Sequence, residues 1–154
     1  MRMIGLLKES VFSGTIASIA MMPFGLFFRF VGLRIGHYGP KFAGLLFAEP
    51  NTFVLVVQHF LIGWLSTLPL LLILIGYRVV TPIAMGAAYG AGYYVVVNSL
   101  VLPLYFGDPL PWQLGLSYIF PSLLIHVIFG VSIAISAKKF VKLKQKIGLS
   151  TPSV

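Results

Sequence analysis

Four long apolar stretches dominate this sequence and constrain its fold more than any other feature. They cover about residues 11–30, 52–75, 82–104 and 114–137. Each is close to the ~20 residues that an α-helix needs to cross the hydrocarbon core of a bilayer. Backbone groups find no water there, so each stretch has to close its own hydrogen bonds as a helix. We therefore expect one all-α membrane domain, an antiparallel bundle of four transmembrane helices.

Composition supports a membrane protein and leaves little material for catalysis. Hydrophobic residues make up 58% of the 154 residues and charged residues 9%, whereas charged residues are about 25% of a typical soluble domain. The chain has no cysteine, and its acids are Glu9, Glu49 and Asp108. Sequence motifs of hydrolases, zinc proteases and phosphate-binding loops do not occur. We expect no catalytic residue, no metal site and no enzyme activity.

The excess of basic residues predicts the orientation of the chain. The net charge is +8, which in a membrane protein indicates contact with a lipid bilayer of anionic headgroups rather than with nucleic acid. The first residues, the second connection and the tail over residues 138–154 together have eight basic residues, whereas the first loop region on the other side has three, Arg29, Arg34 and Lys41. The positive-inside rule then predicts a multi-pass protein of the plasma or inner membrane with both termini in the cytoplasm.

Two segments outside the four stretches have structural expectations of their own. The first loop, about residues 31–51, is too apolar to be a solvated link, so we expect an interfacial segment with a short helix. Its Arg34, His37 and Lys41 are expected to face headgroups. The basic tail is expected to begin as a helical extension of the fourth stretch, and residues 150–154 have no reason of their own to be ordered.

Small residues at four-residue spacing predict where the helices pack. Gly86 and Gly90 form one row of the third stretch. Ala88 and Gly92 form a second, interleaved row, and we expect the two rows to make one nearly bare side. Part of this side, or the equivalent row at Gly14 and Ser18, is expected to contact another subunit. Comparable rows occur in the other stretches: Gly14 and Ser18; His59, Gly63 and Thr67; and Ser122, His126, Gly130 and Ala134. We expect these rows to face one another at the bundle centre, with large apolar side chains facing lipid.

Few polar side chains lie inside the stretches, and these are the candidates for function because polar groups are unfavourable in hydrocarbon. They are Gln58, His59, Asn98 and His126. The two imidazoles are expected to be neutral and hydrogen-bonded across helices; axial ligation of a b-type haem and a proton-linked role are the alternatives. Asn98 precedes Pro103, so its amide is expected to cap backbone freed by the proline or to bond a neighbouring helix.

A possible repeat relates the two halves of the chain. His59 and Gly63 have the same spacing as His126 and Gly130, and the first and third stretches both have small residues followed by a proline. Duplication of a helical hairpin would explain this pattern. Chance recurrence in apolar sequence explains it as well.

The second half has a recognisable order of features. A glycine-rich helix contains Asn98 and ends near Pro103, and a Pro/Trp turn then leads to a helix with His126 and Gly130. This order resembles small bacterial four-span membrane proteins of the YagU and YqhR kind. The resemblance implies a four-span architecture and implies no catalytic residue, because no biochemical activity is established for those proteins.

Many packing residues and few reactive ones favour a non-catalytic function. We expect a small accessory or structural subunit of a larger membrane complex, for example a respiratory or oxidase assembly, contacting other membrane subunits and binding no cofactor. One alternative is a b-type haem electron-transfer protein that uses His59 and His126. Another is a small channel or transporter protomer whose polar rows line a path.

Overall fold

The structure, a computed structural model, describes residues 3–33, 35, 38–77, 79 and 81–150, and over these residues it contains helices and no strands. Four helices are long and apolar enough to cross a membrane, which confirms the expected all-α, four-span architecture. The elements are α1 (Met3–Phe30), α2 (Tyr38–Ala43), α3 (Thr52–Gly76), α4 (Pro82–Tyr93), a π-helical segment (Tyr94–Val101), α5 (Leu102–Phe106), α6 (Pro111–Leu114), α7 (Leu116–Ser136) and α8 (Lys138–Ser150). The third span comprises α4, the π-helical segment and α5.

Local capping explains two of the boundaries. α1 begins at Met3, well before the predicted apolar stretch, and within it the Ser13 hydroxyl donates to the Glu9 carboxylate one turn earlier at 2.7 Å. α3 begins where the Asn51 side chain accepts from the backbone N–H of Val54 at 3.0 Å, a standard N-cap. The third span continues past its predicted end and stops at Gly107, whose φ of 67° closes the helix.

The π-helical segment lies just before a proline. The backbone N–H of Leu102 bonds to the carbonyl of Val97, five residues back, rather than four. The next residue, Pro103, has no N–H to donate, so the backbone hydrogen-bond ladder lacks one bond there. The wider turn carries Asn98, and π-helical turns are frequently found at functional sites.

Small residues join the long helices in pairs. A Cβ atom placed on Gly14 of α1 would lie 3.1 Å from both the Gly63 carbonyl oxygen and the Trp64 Cα of α3. In the other pair, Cβ atoms on Gly86 and Gly90 of α4 would overlap the carbonyls of Gly130 and His126 on α7. The backbones of α4 and α7 are therefore almost in contact, as small-residue packing predicts.

The two glycine rows of α4 face in opposite directions. Gly86 and Gly90 are buried, whereas Ala88 and Gly92 are exposed. Successive residues of an α-helix are rotated by about 100°, so residues two apart lie nearly opposite each other. The prediction that both rows form one bare side is therefore wrong, and a Cβ placed on Gly92 would meet no atom of the described residues within 4 Å.

Large apolar side chains, not only small ones, fill the centre of the bundle. α1 packs against α3 and α7, and α7 also packs against α4. Leu70, Leu71 and Leu74 of α3 and Ile133 of α7 are almost completely buried between these helices. The expectation that large side chains all face lipid is wrong here, because α3 lies less close to α4 and α7 than to α1, and long side chains fill that space.

Short helices close both ends of the bundle. At the end that carries α2, the Gln58 side chain donates to the Gly39 carbonyl at 3.0 Å, so α2 is fixed to α3 as an interfacial helix. At the opposite end, α8 begins after Ala137 as a separate helix and lies against α3, rather than simply extending α7. The expectations for Arg34, His37 and residues 151–154 lie outside the described residues.

Candidate functional site

Polar groups from three membrane spans meet on one side of the bundle interior. They are Ser66 on α3, the Tyr89 and Tyr93 side chains on α4, the Asn98 side chain on the π-helical segment, and the Ser122 carbonyl and the His126 side chain on α7. These six residues are called the polar cluster below. The sequence analysis named Asn98 and His126 as intramembrane polar candidates, and the structure brings the two into direct contact.

Both ring nitrogens of His126 have partners within the chain. Nδ1 lies 2.6 Å from the Ser122 carbonyl oxygen, which can only accept, so Nδ1 carries the proton and donates. Nε2 lies 2.9 Å from Nδ2 of Asn98 and accepts from that amide. This pattern assigns a single tautomer of a neutral imidazole. The Asn98 bond to His126 is a bond to a neighbouring helix, which was one of the two expectations for Asn98.

Two tyrosine rings enclose the imidazole. The Tyr93 ring stacks on His126 with centroids 5.7 Å apart and an interplanar angle of 21°. The Tyr94 ring lies 5.8 Å away and tilted by 46°. Tyr94 is only 4% exposed, and its hydroxyl has no hydrogen-bond partner among the described residues. The imidazole is therefore held by stacking as well as by hydrogen bonds.

Tyrosine side chains also bridge the side of the bundle where α3 and α4 stand apart. The Tyr89 hydroxyl donates to the Ser66 carbonyl at 2.5 Å. The Ser66 hydroxyl donates to the Tyr93 hydroxyl at 3.0 Å. The Tyr93 ring stacked on His126 joins these bonds to those of the imidazole, so the polar cluster links α3, the third span and α7.

His59 and Gln58 belong to other contacts. His59 Nε2 lies 3.3 Å from the Ser18 carbonyl oxygen, across the α1–α3 contact, while Gln58 anchors α2. The structure therefore gives the two histidines separate partners on different helices. Haem ligation through His126 would require one of its two hydrogen bonds to break. Over the described residues, no group of three or more His, Cys, Asp or Glu side chains forms a metal site.

Sequence reasoning missed Ser66, Tyr89 and Tyr93 as a group. Tyrosines four residues apart share a helix face, and that spacing on a glycine-rich helix was the available signal. The spacing could not show that Ser66 is the partner of the two tyrosines, because the stretches over residues 52–75 and 82–104 each have several polar or small positions. The structure is needed to show that α3 and α4 lie at a separation that a tyrosine side chain spans to reach Ser66.

A second feature lies on the outer surface of α4. Ala84, Ala88 and Gly92 are exposed at four-residue spacing, and a Cβ on Gly92 would have no neighbouring atom within 4 Å. These three residues are called the open face below.

Comparison of the chain with protein-family models, curated proteins and solved structures found no match. The four apolar spans by themselves indicate an integral membrane protein.

Proposed function

We propose that this chain is a non-catalytic structural subunit of a larger membrane assembly, and that it contacts a neighbouring subunit through the open face of α4. The observation that carries the proposal is the exposure of Gly92 with open space around it. Gly90, two residues earlier, is covered by α7. One row of small residues on α4 is thus covered by α7, and the second row is exposed on the outside of the bundle.

Helix packing in lipid gives a reason for the second row to bind a partner. Lipid tails are as apolar as leucine, so helices associate in a bilayer through close packing and not through the hydrophobic effect. Small residues permit that close approach. Gly86 and Gly90 illustrate it within the chain, since the α7 backbone comes nearly into contact with them. A helix from another subunit would find similar geometry at Ala88 and Gly92.

The interior of the bundle supports a structural role. The hydrogen bonds of Ser66, Asn98 and His126 link helices to one another. Such networks stabilise and specify a packed arrangement when their members are satisfied. A path for solutes or a haem site would need polar groups that lack partners in the chain and point into a cavity. The hydrogen bonds that the structure describes for the polar cluster instead join its own members.

Size measurement of the native particle tests the proposal. The tagged chain is extracted from its own membranes in mild detergent, and the particle is compared with that of the Gly92→Leu variant. We expect the variant to be released as the free chain, because leucine prevents close approach at the open face. Gly76→Leu is the matched control, since Gly76 is also exposed and has no atom within 4 Å of a Cβ. A native-size particle that survives Gly92→Leu contradicts the proposal.

The same purified fraction separates the alternative functions. A Soret absorption band that stays with the isolated chain and is lost in His126→Gln would support the b-type haem protein. Solute or ion flux through proteoliposomes of the isolated chain would support a channel or transporter protomer. A colourless fraction without flux, in a particle larger than the chain, is the result we expect.

A further inference from the structure

The terminal helix α8 is fixed at the end of the bundle where α1 begins. Val141 is 6% exposed and packs in the apolar core, and the Gln145 side chain donates to the Leu74 carbonyl at 2.8 Å. Leu74 lies two residues before the end of α3. Lys144 reaches Gly5 in the first turns of α1, where a Cβ would lie 3.8 Å from its Nζ. α8 is therefore level with the ends of the membrane-spanning helices.

The exposed surface of α8 divides into a cationic sector and an apolar sector. Lys139, Lys142 and Lys146 are all exposed, and at about 100° per residue they fall within an arc of about 60°. Leu143 is 56% exposed and Ile147 51% exposed, and both lie beside that arc. The buried side of the helix, with Val141, is on the far side. This three-part division is typical of a helix that lies in the membrane interface.

The charge at the two ends of the bundle differs strongly. Among the described residues, the α8 end has the lysines Lys8, Lys138, Lys139, Lys142, Lys144 and Lys146 and the single acid Glu9. The Glu9 carboxylate accepts from the Ser13 hydroxyl of its own helix. At the α2 end, the described cations Arg29 and Lys41 are matched by the acids Glu49 and Asp108. In the described part of the chain, the α8 end therefore has six lysines against one acid.

From this arrangement we infer that α8 is a binding surface for anionic phospholipids. Lys139, Lys142 and Lys146 contact the phosphate groups, and Leu143 enters the boundary between headgroups and acyl chains. The depth of α8, level with the span ends, places its cationic sector in the headgroup layer. Each lysine near an anionic bilayer surface contributes about 1 kcal/mol, a factor of about five in binding. This inference does not depend on the proposed subunit contact, which lies on another helix.

The absence of cysteine from the chain permits a direct test of the depth of α8. Spin labels are attached to single cysteines, Leu143→Cys and Lys142→Cys, in the full chain reconstituted in nanodiscs of phosphatidylcholine and phosphatidylglycerol. We expect the label at 143 to be more accessible to oxygen, which concentrates in lipid. The label at 142 is expected to be more accessible to a water-soluble nickel complex. A label at 143 that favours the nickel complex as strongly as the label at 142 overturns the inference.

Lipid selectivity provides the second measurement. The ratio of phosphatidylglycerol to phosphatidylcholine retained by the purified protein is compared between the natural chain and a triple variant, Lys139→Gln, Lys142→Gln and Lys146→Gln. We expect the preference for phosphatidylglycerol to fall about fivefold for each lysine replaced. The corresponding triple arginine variant keeps the charge and should keep the preference, which separates loss of charge from loss of helix packing.

The control for lipid selectivity lies at the other end of the bundle. Lys41→Gln removes one positive charge there and should leave the lipid preference unchanged, whereas Lys142→Gln alone should lower it about fivefold. Equal preference in the natural chain and the triple glutamine variant overturns the inference. So does an equal effect of Lys41→Gln and Lys142→Gln, because the binding would then follow net charge and not the surface of α8.

Discussion

The side-chain amide of Asn98 donates a hydrogen bond to Nε2 of His126 across 2.9 Å and so joins the π-helical segment to α7. The Ser122 carbonyl holds the other ring nitrogen, which makes Nε2 the acceptor. Asn98 reaches α7 from the wide helical turn that precedes Pro103. The π-helical irregularity before Pro103 thus contacts a histidine whose two ring nitrogens both have partners.

Removal of the amide should measurably weaken the bundle. Asn98→Ala leaves Nε2 of His126 buried without its donor, and we expect a loss of about 1 kcal/mol in the free energy of unfolding. Titration of the purified protein from mild detergent into a denaturing detergent measures this quantity. A double-mutant cycle with His126→Ala isolates the pair. Strictly additive effects of the two substitutions would show that Asn98 and His126 are not coupled.

The two faces of α4 should respond in opposite ways to an added methyl group. Gly90→Ala forces a Cβ into the His126 carbonyl, so we expect destabilisation of about 1–3 kcal/mol from overpacking. Gly92→Ala points into open space and should be neutral or stabilising by up to about 1 kcal/mol, because alanine favours a helix over glycine. The same unfolding titration compares them. Equal destabilisation by both would contradict the opposed orientation of the rows.

Tyr38, in the loop helix α2, should make stability depend on alkaline pH. Burial, and secondly the Asp108 carboxylate, raise the pKa of Tyr38 to about 12 from its usual 10. Between pH 10 and pH 12 the unfolded chain loses this proton while the folded chain keeps it. The free energy of unfolding should therefore fall as the pH rises through this range, because the unfolded state is favoured by ionisation.

A Tyr38→Phe variant isolates that effect, since phenylalanine keeps the ring stacked on Phe106 but has no hydroxyl to ionise. We expect unfolding titrations of the variant to show a shallower fall between pH 10 and pH 12. Asp108→Asn should make the fall end at a lower pH while leaving most of it, because burial is the larger cause of the raised pKa. An unchanged pH profile in Tyr38→Phe would show that folding does not raise the pKa of this hydroxyl.

The distribution of basic residues predicts that both termini lie in the cytoplasm. A reporter that is active only inside the cell, fused after Val154, should be active. A reporter that is active only outside, fused at the same position, should be silent. The same pair of reporters inserted after Leu46, in the exposed loop between α2 and α3, should give the reverse result. Activity of the outside reporter after Val154 would contradict the predicted orientation.

Local patterns in the sequence were sufficient to predict much of the architecture. The four spans, the interfacial helix after α1 and the helical basic tail were all predicted, and the structure contains them. Their boundaries differ where capping or packing extends a helix beyond its apolar part, as at Met3 and Phe106. The candidate site was only partly accessible, because Asn98 and His126 were chosen as isolated polar residues and their tyrosine neighbours were not.

The sequence by itself determined which segments are helical spans, because bilayer thickness and backbone hydrogen bonding act on each segment separately. Tertiary structure alone decided which rows of small residues are covered, which side of α4 remains open and which side chains surround His126. Those outcomes depend on the distances between helices that are far apart in the chain. Gly90 and Gly92 differ in no local property, yet only Gly90 faces α7.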